Sequence, residues 1–168
     1  MTPPLIFKGE NNIGMLRQVE AFRLQVWNSL IDSEIASTRF SLDQFDYAGW
    51  HIVHLNGTDI IGCGRLIIAN DESGVPDLCS FKPYAKSMNY PIGIMNRLVV
   101  HLQHAGKGIG RQLNIERIEL ARDQGVSEVW VEVQAPRVSS MERLGFHDMG
   151  PSQDTSIEGV WRIMQNTN

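Results

Sequence analysis

The spacing of apolar positions changes along this chain, and each spacing predicts an element. The short apolar run "PPLIFKG" reads as a first strand, and Asn11 or Asn12 stands where a helix N-cap belongs. Leu16, Val19, Phe22, Val26 and Leu30 then recur at steps of three and four, the spacing of one apolar helix face. A second helical piece is expected from Ser33 to Phe40. "GWHIVHLNGTDIIGCGRLIIA" reads as strand, Asn56-Gly57 turn, strand. From Asn70 to Tyr90, Gly74, Pro76 and Pro83 break any period, so mostly loop is expected there. "IGIMNRLVVHL" is apolar and β-branched, as a buried strand is. A helix follows to about Gln124, with Gly125 as its stop. "SEVWVEVQ" is a further strand, "RVSSMERLGF" a short helix closed by Gly145, and "GVWRIMQ" a final strand. This order predicts an α/β fold: a mixed sheet with helices on both faces.

At 168 residues the chain is long enough for one domain with a hydrophobic core, and a single domain is expected over 1–168. The net charge of -4 provides no basic field, so no nucleic-acid partner is expected. Cys63 and Cys79 are too few for a zinc site or a disulfide framework, and no metal is expected. No apolar stretch is long enough to span a bilayer, and "MTPPLIFKGE" lacks the pattern of a signal peptide. A cytoplasmic protein with no membrane partner is the expectation. His51 and His54 are three apart on a predicted strand, so they face opposite sides and cannot share a metal. His101 and His104 read as loop residues, Cys63 as a buried structural thiol, and no Ser-His-Asp elbow is visible.

"HAGKGIGRQL" carries the most specific signal. Gly106, Gly108 and Gly110 fall at every second position between a buried strand and a helix start. Backbone N–H groups at a helix N-terminus have no partner, and the helix dipole is positive there, so an anion fits. Glycines let the backbone approach phosphate oxygens closely, and Lys107 and Arg111 add charge at the rim. The loop fails the P-loop pattern, because Gly108 follows Lys107. It also fails G-x-G-x-x-G, because Arg111 and Leu113 occupy the third-glycine positions. A glycine-rich turn with no ligand is the alternative.

"RLVVHLQHAGKGIGRQL" resembles motif A of the GNAT (Gcn5-related N-acetyltransferase) superfamily, matching it at Val100, Gly106, Gly108, Ile109, Gly110 and Leu113. "VEVQAPRVSSMERLGF" resembles motif B, through Glu142, Leu144, Gly145 and Phe146. The resemblance implies a GNAT-type sheet, mostly antiparallel and splayed at its central strands. It implies acetyl-CoA or another acyl-CoA as cosubstrate, with no metal. The pyrophosphate would rest on the backbone from Ala105 and Gly106 through Lys107, Gly108, Ile109 and Gly110 to Arg111. The pantetheine arm would pair with the strand edge at Leu98, Val99 and Val100. Ala105 stands where the family usually has Arg or Gln, and Leu102 where it has proline. Gln134 takes the place of the usual Asn, as in the ElaA-like branch. Met141 replaces the tyrosine that in many relatives protonates the departing thiolate.

Acyl transfer to an amine needs a base to take a proton. Glu132 is the candidate, in a "V-W-V-E-V" setting similar to that of the ribosomal-protein alanine acetyltransferases. Trp130, Glu132 and Gln134 point to one face of their strand and Val129, Val131 and Val133 to the other. Burial would raise Glu132 from about 4.3 towards ~6–7, which suits the task. The alternative is a solvated or salt-bridged strand residue. An amide of Val99 or Val100 would meet the oxyanion, and Tyr90 is a distant alternative acid. The acceptor is expected to be an amine of a small molecule or a protein N-terminus, on a monomer or homodimer.

Arg23, Trp27, Asp46, Arg65 and Arg97 fall at stations similar to landmarks of the autoinducer synthases, which make acyl-homoserine lactones on a GNAT-like fold. Ile94 stands where that family has a glutamate. Three readings follow: an N-acetyltransferase, a long-chain acyltransferase of the autoinducer-synthase kind, or a non-catalytic acyl-CoA-binding module. A buried ion network of Arg23, Asp46 and Arg65, holding the first helix on the sheet, is the structural explanation of the same residues.

Overall fold

The computed structural model describes residues 3–154 and 159–167. Among them the chain forms β1 (Leu5–Lys8), α1 (Ile13–Asn28), α2 (Ser33–Phe40), α3 (Gln44–Ala48), β2 (Trp50–Asn56) and β3 (Asp59–Ala69). There follow α4 (Leu78–Phe81), β4 (Ile92–Val100), α5 (Ile109–Asp123), β5 (Glu128–Gln134), α6 (Val138–Glu142), β6 (His147–Pro151) and β7 (Trp161–Thr167). The strands form one sheet in the order β1-β2-β3-β4-β5-β7-β6. β1–β2, β2–β3, β5–β7 and β6–β7 pair antiparallel, while β4 and β5 pair parallel. This is the mixed sheet that the element order predicted, mostly antiparallel as the family resemblance implied. The parallel ladder runs only from Ile92–Glu128 to Met95–Val131; β4 continues to Val100 and β5 to Gln134.

Two compact units divide these elements. The first holds the described residues through Leu66 together with Arg97–Arg117. Its core is Phe7, Leu16, Val19, Phe22, Val26, Val53, Cys63 and Val99, so the apolar face of α1 lies on one side of the strands. Ile109 and Leu113 of α5 crowd Gly62, the neighbour of Cys63 and therefore on the opposite side. Asn12 caps α1 by accepting from Met15 N at 3.1 Å. Leu30 was expected on the apolar face; instead α1 ends at Asn28 and Leu30 is 54% exposed. The hairpin turn falls one residue later than expected, on Gly57 and Thr58, with Gly57 at φ +63°.

The second unit holds Ile67–Asn96 and the described residues from Ile118 onward. Val129, Trp130, Ile163 and Met164 are fully buried at its centre, beside Ile92, Ile94 and Phe146. The stretch from Asn70 to Tyr90 is less of a loop than expected. It contains α4 and two single-turn helices, Glu72–Gly74 and Ala85–Ser87, anchored by buried Val75, Phe81 and Met88. β6 was not expected at all. Its residues are exposed or half-buried, so it carries no apolar alternation, and it forms because β7 offers it an edge. Among the described residues no helix is long and apolar enough to cross a membrane.

Candidate functional site

In the first unit, β4 leads through a single helical turn, Leu102–His104, into the glycine loop and α5. Gly106 and Gly108 sit at φ +76° and +83°, the left-handed region where a side chain is strained. A Cβ at either would meet nothing within 4 Å, so the space before the loop is open. Gly110 differs: its φ is not left-handed, and a Cβ there would make ordinary contact with Val100 and Leu98. The first helical bond of α5 runs from Gln112 N to Gly108 O at 3.0 Å. The amides of Gly108, Ile109, Gly110 and Arg111 therefore have no carbonyl one turn back to bond. Ala105, Gly106, Lys107, Gly108 and Arg111 are exposed, while Ile109 is buried. Along the preceding strand Leu98 is 37% exposed, Val99 is buried, and Val100 is half-buried. An open anion cradle next to a partly exposed strand edge is what a phosphate-bearing ligand with an extended arm needs. A cleft of about 240 Å³ lies just beyond the strand, lined by Gln25, Val26, Ser29, His101 and Leu102.

The same unit gathers the arginines. Arg23 Nη1 donates to Asp46 Oδ1 at 2.7 Å, and both side chains are fully buried. Arg65 bridges Asp43 at 2.7 Å and Asp46 at 3.0 Å. Arg97, at φ +54°, donates to Asp43 Oδ2 at 2.7 Å and to Ser41 O at 3.2 Å, and lies over the Phe40 ring. Asp43 and Asp46 also cap α3 reciprocally. Burial would raise Asp46, but the Arg23 and Arg65 guanidiniums outweigh it and hold its carboxyl well below the usual range. His51 is pushed down to about 4 by burial and by the Arg23 charge. Its Nε2 therefore donates to Asp46 O at 2.8 Å while Nδ1 accepts from Arg23 at 3.3 Å. Each of the two carboxylates meets two arginines, so the network fits the structural explanation, binding α1 and α3 to the strands. Asp43, which joins Arg65 to Arg97, was not singled out from the sequence. His54 faces the other way and pairs with Glu116 of α5 at 2.7 Å.

Glu132 belongs to the second unit. It is half-buried on β5, downstream of fully buried Trp130, while Gln134 is exposed. Ser152 Oγ donates to its Oε1, and Asp154 N donates to Ser152 Oγ at 3.1 Å. Burial pushes the Glu132 carboxyl up; hydrogen bonding from Ser152 and Ser80 opposes this, and the Asp154 and Asp77 charges add to it. The Ser152 partner of Glu132 was not legible, because β6, which leads directly into Ser152, was not. Met141 is buried on α6, and a thioether has no proton to give. Tyr90 donates its hydroxyl to Met88 Sδ at 3.4 Å, and burial raises its pKa. Glu128, unremarked in the sequence, is buried, with Asn89 and Trp130 Nε1 as donors.

Comparison with known proteins adds the following. The model of the acetyltransferase (GNAT) family matches residues 19–146. The streptothricin acetyltransferase of Streptomyces lavendulae is 38% identical over 63 residues, 33% of this chain. That stretch is also 33% of the relative's own length. Escherichia coli ElaA shares the fold with a TM-score of 0.72 at 15% identity, covering 99% of each chain. The CoA-dependent acyl-homoserine lactone synthase BjaI does so with a TM-score of 0.72 at 18% identity, over 97% of this chain and 82% of its own. An acyl-CoA N-acyltransferase from Pseudomonas aeruginosa has a TM-score of 0.66 at 15% identity, over 98% of each chain.

Proposed function

Since the chain belongs to the acetyltransferase (GNAT) family, we propose that it moves an acyl group, acetyl in the simplest case, from CoA to a primary amine. The observation that carries this is the loop of Gly106 and Gly108, left-handed and open, at the start of a 15-residue helix. The amides from Gly108 to Arg111 would hold the CoA pyrophosphate, with Lys107 and Arg111 at the rim. Leu98, Val99 and Val100 would pair with the pantetheine arm as an added strand does. The amine nitrogen attacks the thioester carbon, a C–N bond forms and the C–S bond breaks. Glu132 takes the proton that the amine loses, which its raised pKa favours. Met141 has no proton to donate, so CoA leaves as the thiolate or takes a proton from water. A strand amide of Val99 or Val100 meets the oxyanion.

Calorimetric titration tests the donor. Acetyl-CoA is expected to bind and to raise the unfolding temperature, because a ligand of the native state alone shifts unfolding by mass action. ATP and NAD, which carry phosphates but no pantetheine arm, are expected to bind more weakly. ATP binding more tightly than acetyl-CoA overturns the assignment.

A further inference from the structure

Among the described residues only Asp77 and Arg97, glycines apart, have a left-handed φ, and Arg97 alone lies within a strand. At φ +54° its Cβ is strained. Such a conformation persists only where the surrounding structure holds it. Here three groups do so. Arg97 Nη2 donates to Asp43 Oδ2 at 2.7 Å, and Nη1 donates to Ser41 O at 3.2 Å. The guanidinium lies over the Phe40 ring, 5.9 Å from its centroid. Asp43 is itself braced, because it caps α3 and bridges Arg65 at 2.7 Å. The side chain is pinned, and the backbone that carries it is pinned with it.

The position of this residue on β4 gives the strain a use. The ladder with β5 makes its last pair at Met95 and Val131, two residues before Arg97. A left-handed residue within a strand bends it and interrupts regular pairing. Leu98, Val99 and Val100 follow and end the strand. Their end is held from the β3 side, where His101 N donates to Ile61 O at 2.9 Å. To accept an extended ligand, a strand needs backbone groups that no neighbouring strand uses.

We propose that Arg97 is a positioning residue for the acyl donor: its guanidinium, anchored on Asp43 and Ser41 O, holds the left-handed bend that keeps the edge of Leu98, Val99 and Val100 open to the pantetheine arm. Arg97 acts through the backbone and takes no part in the chemistry. This inference rests on the acyl-CoA reading above.

The test compares Arg97→Ala with Arg97→Gly by calorimetric titration of the full chain with acetyl-CoA and with ADP. Both variants lose the same ion pair, but only glycine takes the left-handed φ without strain. Arg97→Ala is expected to bind acetyl-CoA about tenfold more weakly than wild type, as the cost of a left-handed Cβ sets. Arg97→Gly is expected to stay within about twofold of wild type. ADP has the pyrophosphate but no pantetheine arm, so its affinity is expected to be the same in all three proteins. Equal loss of acetyl-CoA affinity in both variants overturns the proposal. So does failure of either to fold, read by circular dichroism, because the anchor then serves the fold and not the donor. Wild-type acetyl-CoA affinity in Arg97→Ala, or a parallel loss of ADP affinity there, overturns it too. No binding of acetyl-CoA by the wild type overturns the acyl-CoA reading and this inference with it; the other outcomes bear on Arg97 alone.

Discussion

At the scale of single residues, the proposed chemistry turns on Glu132. Its folded pKa lies above the ordinary 4.5 because burial and two nearby aspartates outweigh the hydrogen bonding from Ser152 and Ser80. Glu132→Gln keeps the shape and the bond from Ser152 but accepts no proton. Steady-state turnover with saturating amine is expected to fall about 10²–10⁴-fold, with acetyl-CoA affinity nearly unchanged. The acidic limb of the pH–rate profile, which reports Glu132 ionising, is expected to vanish as well. A variant with full turnover and an intact acidic limb would remove Glu132 from the mechanism. The amine would then arrive already deprotonated, and the protein's part would be positioning. Glu132 itself was legible in the sequence from its V-W-V-E-V setting. Ser80, Ser152 and Asp77 were not, since nothing in their local patterns points at β5.

At the scale of elements, the glycine loop separates two causes of the proposed anion binding. Gly106 and Gly108 need their left-handed φ; Gly110 does not. Gly108→Val is therefore expected to cut acetyl-CoA affinity by tenfold or more, since a β-branched residue resists that conformation. Gly110→Val acts only through contact with Val100 and Leu98 and is expected to do less. Lys107→Ala is expected to cost about twofold, because an exposed rim charge is screened by salt. Titration calorimetry ranks the three; a larger loss from Lys107→Ala than from Gly108→Val sinks the backbone cradle. The elements that escaped sequence reading share one trait. β6 is an edge strand with Pro151 at its end, and α3 and α4 are only five and four residues long. Such pieces are too short or too exposed to impose a period, and their neighbours decide them.

At the scale of the whole molecule, the buried network predicts how acid unfolds the protein. His51 titrates at about 4 when folded and near 6.5 when unfolded, so the unfolded chain binds its proton first. The stability it contributes is complete above pH 6.5 and is lost as pH falls towards 4. That loss is about 3 kcal/mol at ~1.36 kcal/mol per unit. Asp46 acts in a lower window, below its ordinary 3.8, because its folded pKa is depressed. Glu132, with a raised folded pKa, loses stability in the opposite direction as pH rises past 4.5. Denaturant melts of the wild type and His51→Gln between pH 7 and 4 isolate the histidine. The wild type is expected to lose stability more steeply, and parallel curves would show that His51 is not the source. The sequence by itself determined the main helices and strands, the hydrophobic face of α1 up to Val26 and the glycine loop at the start of α5. Each depends on residues close together in the chain, through periodicity, capping and backbone freedom. Only the tertiary structure decided that Arg23, Asp43, Asp46, Arg65 and Arg97 meet in one ion-pair network, and that Ser152 bonds Glu132. Those groups are tens of residues apart, and their meeting depends on strand register and on which element covers which face. No local pattern encodes either.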